Sequence, residues 1–134
     1  MTRVLILATM LAGLACRGPA PPTISNEQQT ERARLRNLGK AFYENPTTRG
    51  EAVEVLRQAW QIDPTSSGDH ANYAMALLRV GQTAAGVAEL EQVQRHDPSL
   101  PHSYFNLAIA YKDESRRAEA RAQFEGLLRL VPDE

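Results

Sequence analysis

The three histidines and the single cysteine are the side chains whose chemistry could support metal binding or nucleophilic catalysis. The histidines are His70, His96 and His102, and no two of them have the i, i+4 spacing that places two ligands on one helix face. The sequence also lacks a glycine-rich phosphate loop and a Gly-x-Ser-x-Gly nucleophile motif. We therefore predict a protein that is not an enzyme and that uses no metal or other cofactor.

Cys16 follows a short apolar segment near the N-terminus. Residues 4–15, VLILATMLAGLA, come after a basic start and are fewer than the roughly 20 residues that a membrane-spanning helix needs. Their length is typical of a secretory signal peptide. The segment ends in the letters GLAC, which resemble the lipobox of bacterial lipoproteins, where the cysteine is lipidated and becomes the new N-terminus. The alternative is an ordinary signal peptide followed by an incidental cysteine.

A proline-rich stretch, RGPAPPT, follows the cysteine and is typical of an extended tether. Each buried acyl CH₂ contributes about 0.8 kcal/mol, so two or three chains on Cys16 would anchor the protein durably. The resemblance implies a lipid-anchored protein of the bacterial cell envelope with a periplasmic domain. Arg17, in place of an aspartate, favours the outer membrane. The alternative location is periplasmic or secreted and soluble.

Three segments are predicted along the chain: a signal peptide over residues 1–15, the lipidation cysteine and linker over 16–24, and a folded domain over 25–134. Apolar residues of the third segment recur at i, i+3, i+4 and i+7, which predicts amphipathic helices. We expect six of them, near residues 25–44, 48–62, 69–80, 83–96, 100–113 and 116–131. Four residues are expected to cap helices: Ser25, Thr48, Thr83 and Ser115. Gly81 fits the left-handed residue that ends a helix.

A repeat with a period of about 34 residues runs through the helical segment, since Asp63-Pro64, Asp97-Pro98 and Val131-Pro132 recur at that interval. The first helix of each pair carries a related apolar row: Leu35, Leu38, Gly39, Phe42; His70, Tyr73, Ala74, Leu77; Tyr104, Leu107, Ala108, Tyr111. This pattern resembles the tetratricopeptide repeat. The resemblance implies an all-α solenoid of three helix-turn-helix repeats, at about residues 32–66, 67–100 and 101–134. Gly86 replaces the usual alanine inside a helix, a change that costs about 1 kcal/mol in helix propensity.

The resemblance also implies a concave groove, lined by the first helices, that holds a segment of a partner protein. The lining positions carried over from the repeat are Ala33, Arg36, Lys40, Tyr43, Ala71, Met75, Leu78, Arg79, His102, Phe105, Ile109 and Lys112. We expect a ligand that is amphipathic or apolar and extended, with acidic flanks. Alternatively, the N-terminal helix or the tether fills the groove. Asn37, Asn72 and Asn106 recur at equivalent positions, but the lysines that would complete a carboxylate clamp are not all present, so no clamp is predicted.

The charge balance and the sixth helix bear on the kind of partner. Lys plus Arg number 15 against 16 Asp plus Glu, which removes the electrostatic footprint expected for nucleic acid. The sixth helix carries Ala118, Phe124, Leu127 and Leu130 in its apolar row. Some of Phe124, Leu127, Leu128 and Leu130 are expected to be exposed, either as tolerated apolar surface or as a homodimer or partner contact.

The predicted function is a membrane-anchored protein–protein interaction scaffold. Similar lipoproteins serve envelope, secretion or pilus assembly. The alternative is a soluble exported subunit of an obligate complex or homodimer that has no peptide ligand.

Overall fold

The computed structural model describes residues 23–131 of the chain. Within that range it consists of six α-helices, α1 (Asn26–Glu44), α2 (Arg49–Ile62), α3 (Ser67–Arg79), α4 (Thr83–His96), α5 (Pro101–Asp113) and α6 (Arg117–Leu130). Consecutive helices pack as three hairpins, and each hairpin packs on the next, so the predicted all-α solenoid of three repeats is confirmed. The predicted signal peptide, Cys16 and Pro132 lie outside the described residues.

The first helix begins where its sequence predicts, at a capping box. The Gln28 backbone N–H donates to Ser25 Oγ at 3.1 Å, and the Ser25 backbone N–H donates to Gln28 Oε1 at 2.9 Å. Each bond satisfies a backbone donor that the first turn leaves free. Gly81, with φ of 81°, has the left-handed conformation that ends α3.

The other three predicted residues form no side-chain cap, although Thr48 does occupy the N-cap position of α2. Thr48 precedes α2, but its hydroxyl donates to the Phe42 carbonyl at 3.3 Å instead of accepting from the helix. Thr83 is already the first residue of α4, and Ser115 lies one residue before the cap position of α6. Ser115 has a φ of 62° and stands one repeat period after Gly81. It therefore occupies the left-handed turn position of its repeat rather than the capping position.

In the described range, the core consists of two clusters that share α3. One joins α3 to α6 through Ala74, Val87, Leu90, Leu107, Ala110, Tyr111 and Ala120. The other consists of Ala52 and Leu56 of α2 and Ala76 of α3, and Phe42 and Tyr43 of α1 pack against it. Leu90 and Leu107 have no exposed surface. Ala118, which was expected to face inward, is exposed, because the close contact of α6 with α5 falls at Ala120 and Gly126.

Gly86 allows α3 and α4 to approach closely. A Cβ atom on Gly86 would lie 2.7 Å from Leu78 Cγ and 3.0 Å from the Ala74 carbonyl oxygen. Alanine, with the better helix propensity, would therefore collide with the Leu78 side chain and crowd the Ala74 carbonyl oxygen. The glycine is explained by packing, which outweighs its propensity cost.

The three hairpins curve so that their first helices lie on the inner face. α1 contacts α3 and α3 contacts α5, whereas no such close backbone approach links α2, α4 and α6 to one another in the described range. Side-chain amides of Gln94 and Gln123 bridge α4 and α6 at 2.7 Å. The inner face is therefore concave, as predicted for the groove. Over residues 23–131, no helix combines the length and the apolar character that crossing a bilayer requires.

Candidate partner-binding groove

A cavity of about 440 Å³ opens on the concave face between α1 and α3. It is lined by Ala33, Arg36, Asn37, Lys40, Tyr43, Glu44, Leu56, Asn72 and Met75. Of the predicted groove residues, it brings together Ala33, Arg36, Lys40, Tyr43 and Met75. We call this cavity the α1–α3 groove.

Apolar side chains of both helices form one part of the α1–α3 groove. Leu56 is buried beneath it, and Tyr43 and Met75 are partly exposed. The Arg79 guanidinium lies 5.5 Å from the centre of the Tyr43 ring, a cation–π contact between α1 and α3. The groove therefore offers apolar surface to a ligand next to the guanidinium of Arg79.

Two cations stand along the α1 side of the α1–α3 groove. The Lys40 side chain is 75 % exposed, and its Nζ lies 4.0 Å from Glu44 Oε1. The Arg36 side chain is half exposed, and its Nε lies 2.9 Å from Asp69 Oδ1. An exposed ion pair such as Lys40–Glu44 is weak, so Lys40 is available to an acidic ligand.

Asp69 is the buried anion behind these cations, with a side chain that is 1 % exposed. Arg32 Nε donates to its Oδ2, and Arg32 also donates to Ser66 Oγ at 2.9 Å and lies 2.8 Å from Asp63 Oδ2. Oδ1 of Asp69 accepts no hydrogen bond of good geometry, so its attraction to Arg36 is electrostatic. This network joins α1 to the α2–α3 turn. Sequence reasoning missed it, because Asp69 looks like an ordinary acidic residue in the first turn of a helix.

The predicted residues of α5 lie outside the α1–α3 groove. Phe105 is 49 % exposed, Ile109 is partly buried, and His102 and Lys112 are exposed. They continue the inner face without closing a cavity. The apolar surface of Phe105 is available there to a ligand that extends beyond α3.

Two predicted groove residues, Ala71 and Leu78, pack against the interior of the fold. Ala71 is 3 % exposed, and Leu78 packs against the core cluster, where the missing side chain of Gly86 leaves room for it. A helix that contacts neighbours on two sides buries positions that a carried-over pattern assigns to its surface. Neither residue lines the α1–α3 groove, and their contact with a partner stays a prediction.

Four lining residues were absent from the predicted set: Asn37, Glu44, Leu56 and Asn72. The recurrence of Asn37, Asn72 and Asn106 at equivalent positions was the available signal. Asn37 and Asn72 do line the α1–α3 groove, whereas the Asn106 amide donates to the His102 carbonyl of its own helix at 2.8 Å. The two amides can supply hydrogen bonds to the backbone or carboxylates of an extended ligand.

The histidine at the repeat junction has a packing role. The His70 ring stacks on Trp60, with centroids 3.9 Å apart, and its Nε2 lies 2.6 Å from Glu89 Oε2. Within residues 23–131, no group of three or more His, Cys, Asp or Glu side chains is arranged to hold a metal ion.

Solved structures with the same architecture are tetratricopeptide-repeat domains. The Arabidopsis OM64 domain matches with a TM-score of 0.72 at 20 % identity, covering 80 % of this chain and 88 % of that one. The second such domain of Spaghetti (RPAP3), bound to the HSP90 peptide SRMEEVD, matches with 0.68 at 22 % identity over 78 % and 92 %. The second domain of human RPAP3, in complex with the HSP70 peptide SGPTIEEVD, matches with 0.69 at 20 % identity over 80 % and 88 %.

The fold is therefore that of a tetratricopeptide-repeat domain, as the repeat period predicts. No protein-family model matches the sequence, and no curated protein matches it either.

Proposed function

We propose that this protein is a non-enzymatic interaction scaffold that holds a segment of a partner protein in the α1–α3 groove. The observation that carries the proposal is the composition of that groove: the cations Arg36 and Lys40 stand beside the apolar Tyr43 and Met75. Such a surface suits an extended segment that alternates carboxylates with apolar side chains. The peptides bound to the two RPAP3 domains, SRMEEVD and SGPTIEEVD, combine those residue types.

Selection from a displayed library of random peptides tests this function directly. We expect the purified chain to enrich peptides that carry acidic and apolar residues in one short stretch. Lys40→Glu should remove the preference for acidic residues, because it reverses the exposed charge, and Met75→Glu should remove the preference for apolar ones. The matched control is Arg95→Glu on α4, an exposed arginine that does not line the groove.

The alternative function, a subunit that binds no peptide, predicts a different result. Failure of the wild type to enrich any motif, or motifs that persist in both groove variants, would contradict peptide binding. Helical circular dichroism of each variant, measured in parallel, separates loss of binding from loss of the fold.

We further propose that lipid on Cys16 anchors the scaffold in the bacterial cell envelope, with the repeats in the periplasm and the outer membrane as the favoured site. The support is the sequence alone: the apolar segment of residues 4–15, the letters GLAC and the proline-rich tether. Mass spectrometry of the N-terminal peptide should show a diacyl or triacyl modification on Cys16. Cys16→Ser should move the protein from the membrane fraction to the soluble fraction or leave the precursor unprocessed. An unmodified cysteine and unchanged fractionation would favour a soluble exported protein.

A further inference from the structure

A stripe of exposed residues runs along α6 at the spacing of a coiled-coil seam. Ala118, Arg121, Glu125 and Leu128 follow one another at intervals of three, four and three residues, and all four are exposed. Leu128 is 67 % exposed, and Arg121 Nε lies 2.8 Å from Glu125 Oε1 within the helix. Spacing of this kind places side chains on one helix face, where a second helix can meet them.

Comparison with α4 shows which kind of helix this face can accept. Val87 of α4 is 7 % exposed in the core cluster that includes residues of α5. One repeat period later, the equivalent position in α6 is Arg121, whose side chain is 82 % exposed. An arginine at this position opposes the apolar packing that α4 gives to the following repeat. The face instead suits a helix that presents a carboxylate opposite Arg121 and a small residue opposite Leu128.

A second copy of α6 meets both requirements when it runs antiparallel. A two-fold axis perpendicular to α6, at the level of residue 123, places Arg121 opposite the partner's Glu125. The same register places Leu128 opposite the partner's Ala118. In this register, every residue of the stripe faces a residue of the partner's stripe. We propose that α6 is a homodimer interface in which two copies of this chain pair through the stripe of Ala118, Arg121, Glu125 and Leu128.

The size and charge of the stripe predict a reversible dimer. α6 has 14 residues, so the pairing of two such helices buries less surface than a standard protein interface does. The same symmetry places Arg117 opposite the partner's Arg129 at each end, which opposes tight association. We expect dissociation in the micromolar range, which is typical of small interfaces.

Complementary charge reversal tests the register. The full chain carrying Cys16→Ser, in detergent, is studied by sedimentation with Arg121→Glu or Glu125→Arg. Each variant alone should self-associate at least about tenfold more weakly, because both of its Arg–Glu contacts become contacts between like charges. An equimolar mixture of the two variants should pair again, because the carboxylate introduced at position 121 then meets the guanidinium introduced at position 125. Two different affinity tags on the two variants allow this heterodimer to be purified and counted.

The outcomes are distinguishable. Arg95→Glu, which alters an exposed i, i+4 pair on α4, should leave association unchanged. A wild type that stays monomeric at high micromolar concentration would overturn the proposal. So would a mixture of Arg121→Glu and Glu125→Arg that associates no better than either variant alone, since another surface or another register would then be responsible.

Discussion

At the scale of single residues, the buried carboxylate of Asp69 is the least expected feature of the chain. Its burial is compensated by two guanidinium groups, those of Arg32 and Arg36. Neither arginine is close to Asp69 in sequence, so no local pattern indicates the contact. The network both fixes α1 on its neighbours and holds one cation at the edge of the α1–α3 groove.

Asp69→Ala should therefore destabilise the fold by about 3 kcal/mol, the lower end of what loss of one partner of a buried ion pair costs. The lower end applies because Arg32 keeps its contact with Asp63. Urea unfolding followed by circular dichroism measures this change. Glu31→Ala is the control, since it removes an exposed pair with Arg34 and should leave the free energy of unfolding almost unchanged. Equal effects of the two substitutions would show that the burial of Asp69 is unimportant.

Tyr111 gives the fold a dependence on alkaline pH. Burial, together with the hydrogen bond from its hydroxyl to Glu91 Oε1 at 2.6 Å, raises the pKa of Tyr111 from 10.0 to about 12. Because the folded state holds this proton more tightly than the unfolded state does, the contribution is complete below pH 10 and is lost between pH 10 and about 12.

The loss amounts to about 1–2 kcal/mol over that interval, less than the whole pKa shift corresponds to, because solvent reaches Glu91 and screens its charge. The free energy of unfolding, measured at several pH values, should fall less steeply above pH 10 in Tyr111→Phe than in the wild type. The variant should be less stable at neutral pH, because Glu91 loses the hydrogen bond from the Tyr111 hydroxyl, so the test compares the slopes of the two curves. Parallel curves would contradict this assignment.

At the scale of the helices, substitutions of two glycines distinguish the effect of packing from the effect of helix propensity. Gly86→Ala should destabilise the protein by about 1–3 kcal/mol, because the new Cβ atom meets Leu78 and the Ala74 carbonyl. Gly50→Ala in α2 is the matched control, since no atom lies within 4 Å of the added Cβ. That substitution should stabilise the helix by up to about 1 kcal/mol. Chemical denaturation of both variants checks the opposite signs, and two changes of the same sign would refute the packing explanation.

The helices were predictable because each carries a complete apolar row that recurs with the period of the repeat. Three of the four side-chain caps were not, because a hydroxyl caps a helix only if it stands at the N-cap position and also turns towards the N–H groups of the first turn. Thr48 stands there, but its hydroxyl donates to the Phe42 carbonyl instead. Ser115 occupies the left-handed turn residue, and this depends on the geometry that it shares with Gly81. The repeat pattern predicted five of the residues that line the α1–α3 groove, but it could not predict contacts that depend on a neighbouring helix. Leu78 packs against the core because Gly86, on the next helix, leaves space for it.

At the scale of the whole molecule, the repeats differ in the buried side chains that hold them together. The cluster joining α3 to α6 includes large fully buried side chains, whereas the cluster joining α1 to α3 is smaller and contains two alanines and Leu56. Partly buried aromatic residues, Phe42, Tyr43 and Tyr73, pack against this smaller cluster, and the polar contacts of Arg32 add to it. Since α3 belongs to both clusters, its packing couples the first repeat to the rest of the solenoid.

The contacts of Arg32 also determine how the molecule carries mechanical force. A force applied to the residues before Ile24 acts first on α1. The contacts of Arg32 with Asp63, Ser66 and the buried Asp69 oppose the separation of α1 from the helices next to it. Stretched between its two ends in an optical trap, Arg32→Gln should release α1 as a separate event at low force. Arg34→Gln, whose partner Glu31 lies on the same helix, should stretch like the wild type. Indistinguishable traces for Arg32→Gln and the wild type would assign the resistance to apolar packing. With Arg32 in place, we expect α1 to stay attached to the start of the second repeat through Asp69. A load applied at the N-terminus should then be resisted by the packed helices together.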